Sequence, residues 1–183
     1  LNLYLKFVWK RSASPPVFFN GAGRRDLASP QLMKRIFLTG GAGFIGCHTA
    51  AQLLAQGHEV AVYDSFINYV FPLNQVHIDN INNRLGLIHN RIKVYRGSTQ
   101  DQDCMRRALF DFKPHRVVHL AAMPLANLAV EHPEEAVQAI MMGTMNLLQV
   151  ARELPGLERL VYVSSSMVYG DFVRNPVQEE DLK

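Results

Sequence analysis

Between residues 39 and 46 the chain reads Thr39-Gly40-Gly41-Ala42-Gly43-Phe44-Ile45-Gly46. Three glycines at intervals of three join a β-rich run, Arg35 to Thr39, to a helical stretch from about Gly43 to Gln56. Gly40 permits a tight turn, Gly43 lets a ligand approach the backbone, and Gly46 lets the helix pack close to the sheet. The free N–H groups of a helix start favour an anion, so the chemistry is phosphate binding. Asp64 lies 24 residues after Gly40 and closes a second β-rich run, Glu59 to Tyr63. An acid there accepts hydrogen bonds from the ribose of a dinucleotide and repels a 2′-phosphate. Ser65-Phe66-Ile67-Asn68 provides no arginine to hold such a phosphate. Together these features predict NAD in preference to NADP. The bland readings are a purely structural turn and a solvated loop acid. The strand, helix and following strand around the glycines weigh against them.

The elements that must position these residues continue the alternation. Gly57 ends the first helix. Residues 65–90 are polar and Asn-rich, which predicts a long loop with a short helix near Val76 to Leu85. A third strand is expected at Ile92 to Tyr95, a helix from about Asp101 to Phe112, and a fourth strand at Arg116 to Leu120. A long helix is expected from about Pro133 to Leu154 and a fifth strand at Arg159 to Val163. Continuous apolar strands between amphipathic helices mean a parallel sheet covered on both faces. The predicted fold class is α/β, a Rossmann-type doubly wound parallel sheet of about five strands in the order 3-2-1-4-5, with ligands at the carboxyl ends of the strands. In the long helix Val137, Ile140, Met141, Thr144, Leu148 and Ala151 share one face, read as a core stripe, with the neighbouring methionines as packing residues.

Composition narrows the class. Hydrophobic residues make up 48% of the 183, enough for a folded domain with a real core. No apolar run approaches the roughly 18 residues of a membrane span. The two cysteines, Cys47 and Cys104, make no disulfide framework, so a reduced, cytoplasmic protein is expected. The net charge of +3 is misleading, because residues 1–32 alone carry +4 and the remainder sums to −1. The basic character therefore argues for no nucleic-acid surface. Residues 1–32 are read as a separate leader that ends just before Met33, with a Pro15-Pro16 break. Two origins stay open for it, upstream sequence translated in frame and a targeting segment poor in acids. Residues 33–183 form the predicted NAD-binding domain.

Five motifs in order give a more specific reading. They are the glycine loop, Asp64, Val118-His119-Leu120-Ala121-Ala122 after the fourth strand, Gly143-Thr144-Met145-Asn146 in the long helix, and Ser164-Ser165-Ser166-Met167-Val168-Tyr169-Gly170 after the fifth strand. In this set residues 33 to 183 resemble the extended short-chain dehydrogenase/reductases of the NAD-dependent epimerase/dehydratase family, which act on nucleotide sugars. Carried over by position, the resemblance implies cofactor contacts from Gly40, Gly43, Phe44, Ile45 and Gly46. It also implies them from Asp64, from Ser98 and Thr99, and from Leu120, Ala121 and Ala122. Ser165, four residues before Tyr169, matches the family's catalytic Ser/Thr, whose hydroxyl bonds the sugar oxygen that is oxidised. Three serines at a strand end also fit a capping cluster. Tyr169 matches a packing position.

The family's chemistry is transient oxidation, with a tyrosine removing a hydroxyl proton and a lysine four residues later lowering that tyrosine's pKa. None of the tyrosines 4, 63, 69, 95, 162 and 169 has a lysine four residues later, so the pair is expected downstream of this segment. The family's dehydratases place an Asp-Glu pair after the catalytic Ser/Thr, where this chain has Ser166 and Met167, which implies epimerisation. Ser98 stands where the family commonly has an acid, with Asp101 near, and Ile140 where it commonly has an asparagine. The histidines show no metal-ligand spacing, and His119 is read as a satisfied core or pocket-edge residue. Cys47 lies at a helix N-terminus, where a thiol pKa can fall, and is read as a packing residue.

The expected function is thus the NAD-binding portion of a nucleotide-sugar epimerase, without its proton-transfer pair and substrate domain. The alternative is a non-catalytic NAD-binding or regulatory protein that uses the half-fold alone. A nucleotide sugar is the expected partner, and a homodimer the expected state of the complete enzyme. The fifth strand, lacking a sixth beside it, is expected to leave an unpaired apolar edge that promotes association.

Overall fold

Burial on both faces of the central strands sets the architecture: Ile36 to Thr39 and Val60 to Tyr63 are buried without alternation. The computed structural model describes residues 6–10, 32–67, 74–88, 90–124, 126–171 and 178. Pro15, Pro16, Asn68 and most of 172–183 lie outside the described residues. The strands are β1 (Lys6–Lys10), β2 (Arg35–Thr39), β3 (Glu59–Asp64), β4 (Lys93–Arg96), β5 (Arg116–His119) and β6 (Arg159–Val163). They form one sheet in the order β1-β6-β5-β2-β3-β4. The five strands from β2 onward pair in parallel, in the order expected from the sequence. Thr39 is level with Tyr63 and His119, His119 with Tyr162, and Asp64 with Arg96. That register brings every strand exit of interest to one end of the sheet.

The helices are α1 (Phe44–Ala55), α2 (Gln75–Gly86), α3 (Gln102–Phe112), α4 (Ala126–Glu131), α5 (Pro133–Ala136) and α6 (Gly143–Ala151). A π-helical stretch, Val137–Met142, joins α5 to α6. On one face of the sheet Phe37, Ala61, Tyr63, Val117 and Leu160 pack against Met105, Leu109 and Phe112 of α3 and Leu147, Val150 and Ala151 of α6. On the other face Ile36, Leu38, Val60 and Val62 pack against Cys47 and Ala50 of α1 and against Ile88. Helix ends follow local chemistry. Asn74 and His77 form a reciprocal capping box at α2, and the Asp101 carboxylate accepts from the Cys104 N–H at the start of α3. Gly57, at φ +81°, takes the left-handed turn that ends α1.

Three expectations need correction. The edge of β6 is not unpaired, because Lys6–Lys10, from within the presumed leader, lies antiparallel along it. The short β-prone run Lys6 to Lys10 supplies the backbone groups that the edge demands. The helix α4 was not foreseen, its six residues being too few to show a period. The core stripe of the long helix is displaced. Val137, Met141, Met145 and Leu148 are exposed, while Ala136, Gly143, Leu147, Val150 and Ala151 are buried. That helix is apolar on two adjacent faces, and only the sheet decides which is covered. Gly143 turns inward because a Cβ there would sit 2.4 Å from Thr99 Oγ1, so helix and loop touch through a missing side chain.

Candidate functional site

The carboxyl ends of β2, β3, β4, β5 and β6 open onto one rim, and the expected site residues stand on it. Gly40 takes φ +68°, a conformation costly for any residue with a Cβ. Its N–H bonds the Tyr63 carbonyl at 2.9 Å. A Cβ at Gly40 would lie 2.7 Å from the Ala121 nitrogen, so the glycine loop rests directly on the exit of β5. Gly43 caps α1 without a side chain, in extended backbone, and is exposed. The N–H groups of Phe44, Ile45 and Gly46, in the first turn, are therefore left for another acceptor. Phe44 and Ile45 expose their side chains around this point. Gly46 is buried. A Cβ there would meet Gly40 O at 2.4 Å, so it packs on the turn of the loop itself. Gly41, which the spacing of three does not include, is held by Val62, whose Cγ2 would lie 2.5 Å from an added Cβ.

Asp64 faces the same loop. Its Oδ2 accepts from the Ala42 N–H at 2.9 Å and its Oδ1 from the Phe66 N–H at 2.8 Å. The carboxylate thus fixes the height of the glycine loop while keeping lone pairs for a ligand. Beside it an apolar cavity of about 310 Å³ is lined by Ala42, Val62, Phe66, Ile88, Ile92 and Val94. Next along the rim, Ser98 is half-buried, and its carbonyl takes the Tyr63 hydroxyl at 2.8 Å. Burial pushes that phenol well above its ordinary pKa. Gly97 is obligatory here, since a Cβ would meet the Tyr63 hydroxyl at 2.4 Å. Thr99 is buried beneath the long helix, with its carbonyl taken by Asn146 Nδ2 at 3.0 Å. Asp101 is engaged as a helix cap.

At the exit of β5, Leu120 and Ala121 are half-buried and Ala122 is exposed. Behind them His119 is 1% exposed, between Thr39 and Thr144. It is a satisfied core residue, as expected, and burial lowers its pKa to about 4. Cys47 is buried and donates to the Ala42 carbonyl at 3.3 Å. Burial raises its pKa, so the helix start does not activate the thiol. Ser165 is exposed two residues past the end of β6, the neighbour of β5, which Ala121 follows. Its Oγ accepts from the Met167 N–H at 3.1 Å, capping a 3-10 turn, Ser166–Tyr169. The capping bond uses the oxygen and leaves the hydroxyl proton for another acceptor, so both sequence readings of Ser165 are compatible.

A parallel sheet whose central strand exits through such a loop, with an acid at the end of the neighbouring strand, defines the Rossmann class of dinucleotide-binding folds. Within that class the chain belongs to the GDP-mannose 4,6 dehydratase family, whose model matches residues 37–182. It is 32% identical over 148 residues to Protein CapI of Staphylococcus aureus, covering 80% of this chain and 42% of that protein. It is 33% identical over 150 residues to a UDP-glucose 4-epimerase of Neisseria meningitidis serogroup C, covering 81% of this chain and 41% of that one. The structure of the Bifidobacterium longum UDP-glucose 4-epimerase, in complex with NAD+ and UDP, superposes with a TM-score of 0.65 at 28% identity, over 80% of this chain and 41% of that chain. The chain thus spans about two fifths of the length of these relatives. Among the described residues no helix is long and apolar enough to cross a membrane.

Proposed function

We propose that this chain is the NAD-binding part of a nucleotide-sugar epimerase. The observation that carries the reading is the cradle at Gly40–Gly46, a turn at φ +68° seated on Ala121 and followed by uncapped helical N–H groups. NAD fits the residues present. The first-turn N–H groups would hold the diphosphate, Asp64 would accept from the adenosine ribose, and the apolar cavity beside it would seat the flat base. Ala121 and Ala122 leave room near the backbone for the nicotinamide end. Bound there, NAD supplies a reversible hydride acceptor. Ser165 would orient the sugar hydroxyl with its free proton. Ser166 and Met167 give no acid for elimination of water, which supports epimerisation over dehydration. The epimerase relatives support the same substrate class.

Residues 33–183 make up the NAD-binding domain, and residues 1–32 are in-frame upstream sequence or a targeting segment whose Lys6–Lys10 adds an edge strand to that domain's sheet. A cytoplasmic location is supported by two free thiols, Cys47 and Cys104. A homodimer is supported by the exposed apolar stripe Val137, Met141, Met145 and Leu148.

Titration of the purified 183-residue chain with NAD and NADP tests the cofactor reading. NAD is expected to bind more tightly, and tighter NADP binding, or binding of neither, would overturn it. Turnover of a UDP-sugar by this chain is expected at background, because general acid–base help worth about 10²–10⁴ in rate is missing. Epimerisation abolished by Ser165→Ala would reveal a base elsewhere in the chain.

A further inference from the structure

The rim of the site rests on a buried polar file that the function above does not use. Thr39 immediately precedes the glycine turn, His119 precedes Leu120-Ala121-Ala122 by one residue, and Thr144 begins the second residue of α6. Thr39 Oγ1 lies 2.5 Å from His119 Nδ1, and His119 Nε2 lies 3.1 Å from Thr144 Oγ1. Thr144 Oγ1 lies 2.6 Å from the Ile140 carbonyl, and the Ala121 N–H approaches Thr39 Oγ1 at 3.4 Å.

The direction of every bond in this file follows from one end. A carbonyl only accepts, so the Thr144 hydroxyl spends its single proton on Ile140. Toward His119 it can only accept, which requires a proton on Nε2. A neutral imidazole protonated at Nε2 presents a bare Nδ1, so Thr39 must donate to it. The Thr39 oxygen is then left to accept from the Ala121 N–H. The order is fixed from Ala121 through Thr39, His119 and Thr144 to Ile140. It ends in the π-helical stretch, where Gly143 N–H reaches back five residues to Gln138. The Ile140 carbonyl at which the file ends also accepts from the Gly143 N–H.

We infer that His119, as the Nε2–H tautomer, is a positioning residue that locks the two backbone walls of the cofactor site, Thr39-Gly40 and Leu120-Ala121-Ala122, to each other and to the long helix. The inference rests on the NAD reading above. The groups facing the imidazole are the Thr39 hydroxyl from β2, the Thr144 hydroxyl from α6 and the Tyr162 ring from β6, its centroid 5.8 Å away. Among the described residues no charged side chain is one of them, and burial alone holds the ring neutral down to about pH 4. A second proton would put a donor against the Thr39 hydroxyl and reverse the order at that end.

The test pairs a spectroscopic signature with a binding measurement on the 183-residue chain. Nitrogen-15 spectra of the histidines, with His119 assigned through His119→Gln, should show a bare Nδ1 and a protonated Nε2 throughout pH 5 to 8. His119→Phe fills the space without either bond and should weaken NAD binding about tenfold, the usual scale for a lost buried hydrogen bond. His119→Gln retains one acceptor and one donor and should recover most of that loss. If His119→Phe does not fold, Thr144→Val should weaken NAD binding by about threefold while Thr144→Ser binds as the parent does. A proton on Nδ1, equal affinities for the Phe and Gln variants, or equal affinities for the Val and Ser variants would each overturn the inference. A chain with the expected tautomer that binds no NAD would instead overturn the cofactor reading on which it rests.

Discussion

Around Thr39 to Gly46 the rim is held by side chains that are missing, and around His119 to Thr144 by side chains that are present. In the first region Gly40, Gly41 and Gly46 let backbone segments touch where any Cβ would collide. In the second, one imidazole and two hydroxyls span the gap from β2 through β5 to α6. Steric contact of this kind is insensitive to pH and intolerant of any enlargement. A directional file tolerates isosteric replacement but depends on one protonation state. The same rim therefore answers two different perturbations through two different parts.

The largest effect is expected where a side chain is added to the loop. Gly40→Ala must adopt φ +68° and also meets the Ala121 backbone at 2.7 Å. It should cost about 4 kcal/mol in urea unfolding and abolish NAD binding. Gly57→Ala is the control, with φ +81° and nothing within 4 Å of the added atom. It should cost only about 1 kcal/mol, because strain is its sole penalty. Equal costs for the two would break the claim that close approach, and not the turn alone, fixes the loop.

The next effect tests the polar half. An unfolded histidine takes up its proton near 6.5, whereas His119 in the fold resists to about 4. Between those values the unfolded chain binds more protons, so stability falls as pH falls. It is complete above about pH 6.5 and declines toward pH 4, by about 3 kcal/mol over the whole interval. Chemical unfolding at a series of pH values should show this decline in the parent and a shallower one in His119→Gln. Parallel curves would mean that His119 does not carry the dependence.

Asp64 belongs to the first region, since its carboxylate supports the loop through Ala42. Asp64→Ala should narrow the preference for NAD over NADP by about tenfold, the scale of one charged hydrogen bond. A preference unchanged in parallel titrations would assign discrimination to another group. The smallest effect belongs to Ser165. Its cap on the 3-10 turn is exposed, and Ser165→Ala should cost about 0.5 kcal/mol, read as a small shift in the unfolding midpoint with NAD affinity unchanged. A loss of NAD affinity would place Ser165 in the cofactor site.

Local chemistry was enough to reveal much of this molecule. The strands from Arg35 to Val163 are dense in β-branched and aromatic residues and bounded by glycine, proline and acids, so their limits were legible almost to the residue. The glycine loop and Asp64 were legible because strand, turn and helix lie within one short segment. What only the tertiary structure decided involves residues far apart in the chain. The long helix is apolar on two adjacent faces, so periodicity could not say that Leu147 and Val150 would be covered and Met141 exposed. The reason for glycine at positions 97 and 143 is not local, since each is required by a distant partner, Tyr63 and Thr99. The pairing of Lys6–Lys10 with Arg159–Val163 spans nearly the whole chain, and an edge strand selects its neighbour by backbone, which sequence patterning scarcely records. His119 could be recognised as a buried histidine, but its two partners lie 80 residues before it and 25 after. A hydrogen bond exists only once donor and acceptor have been brought within 3 Å or so, and that placement belongs to the fold.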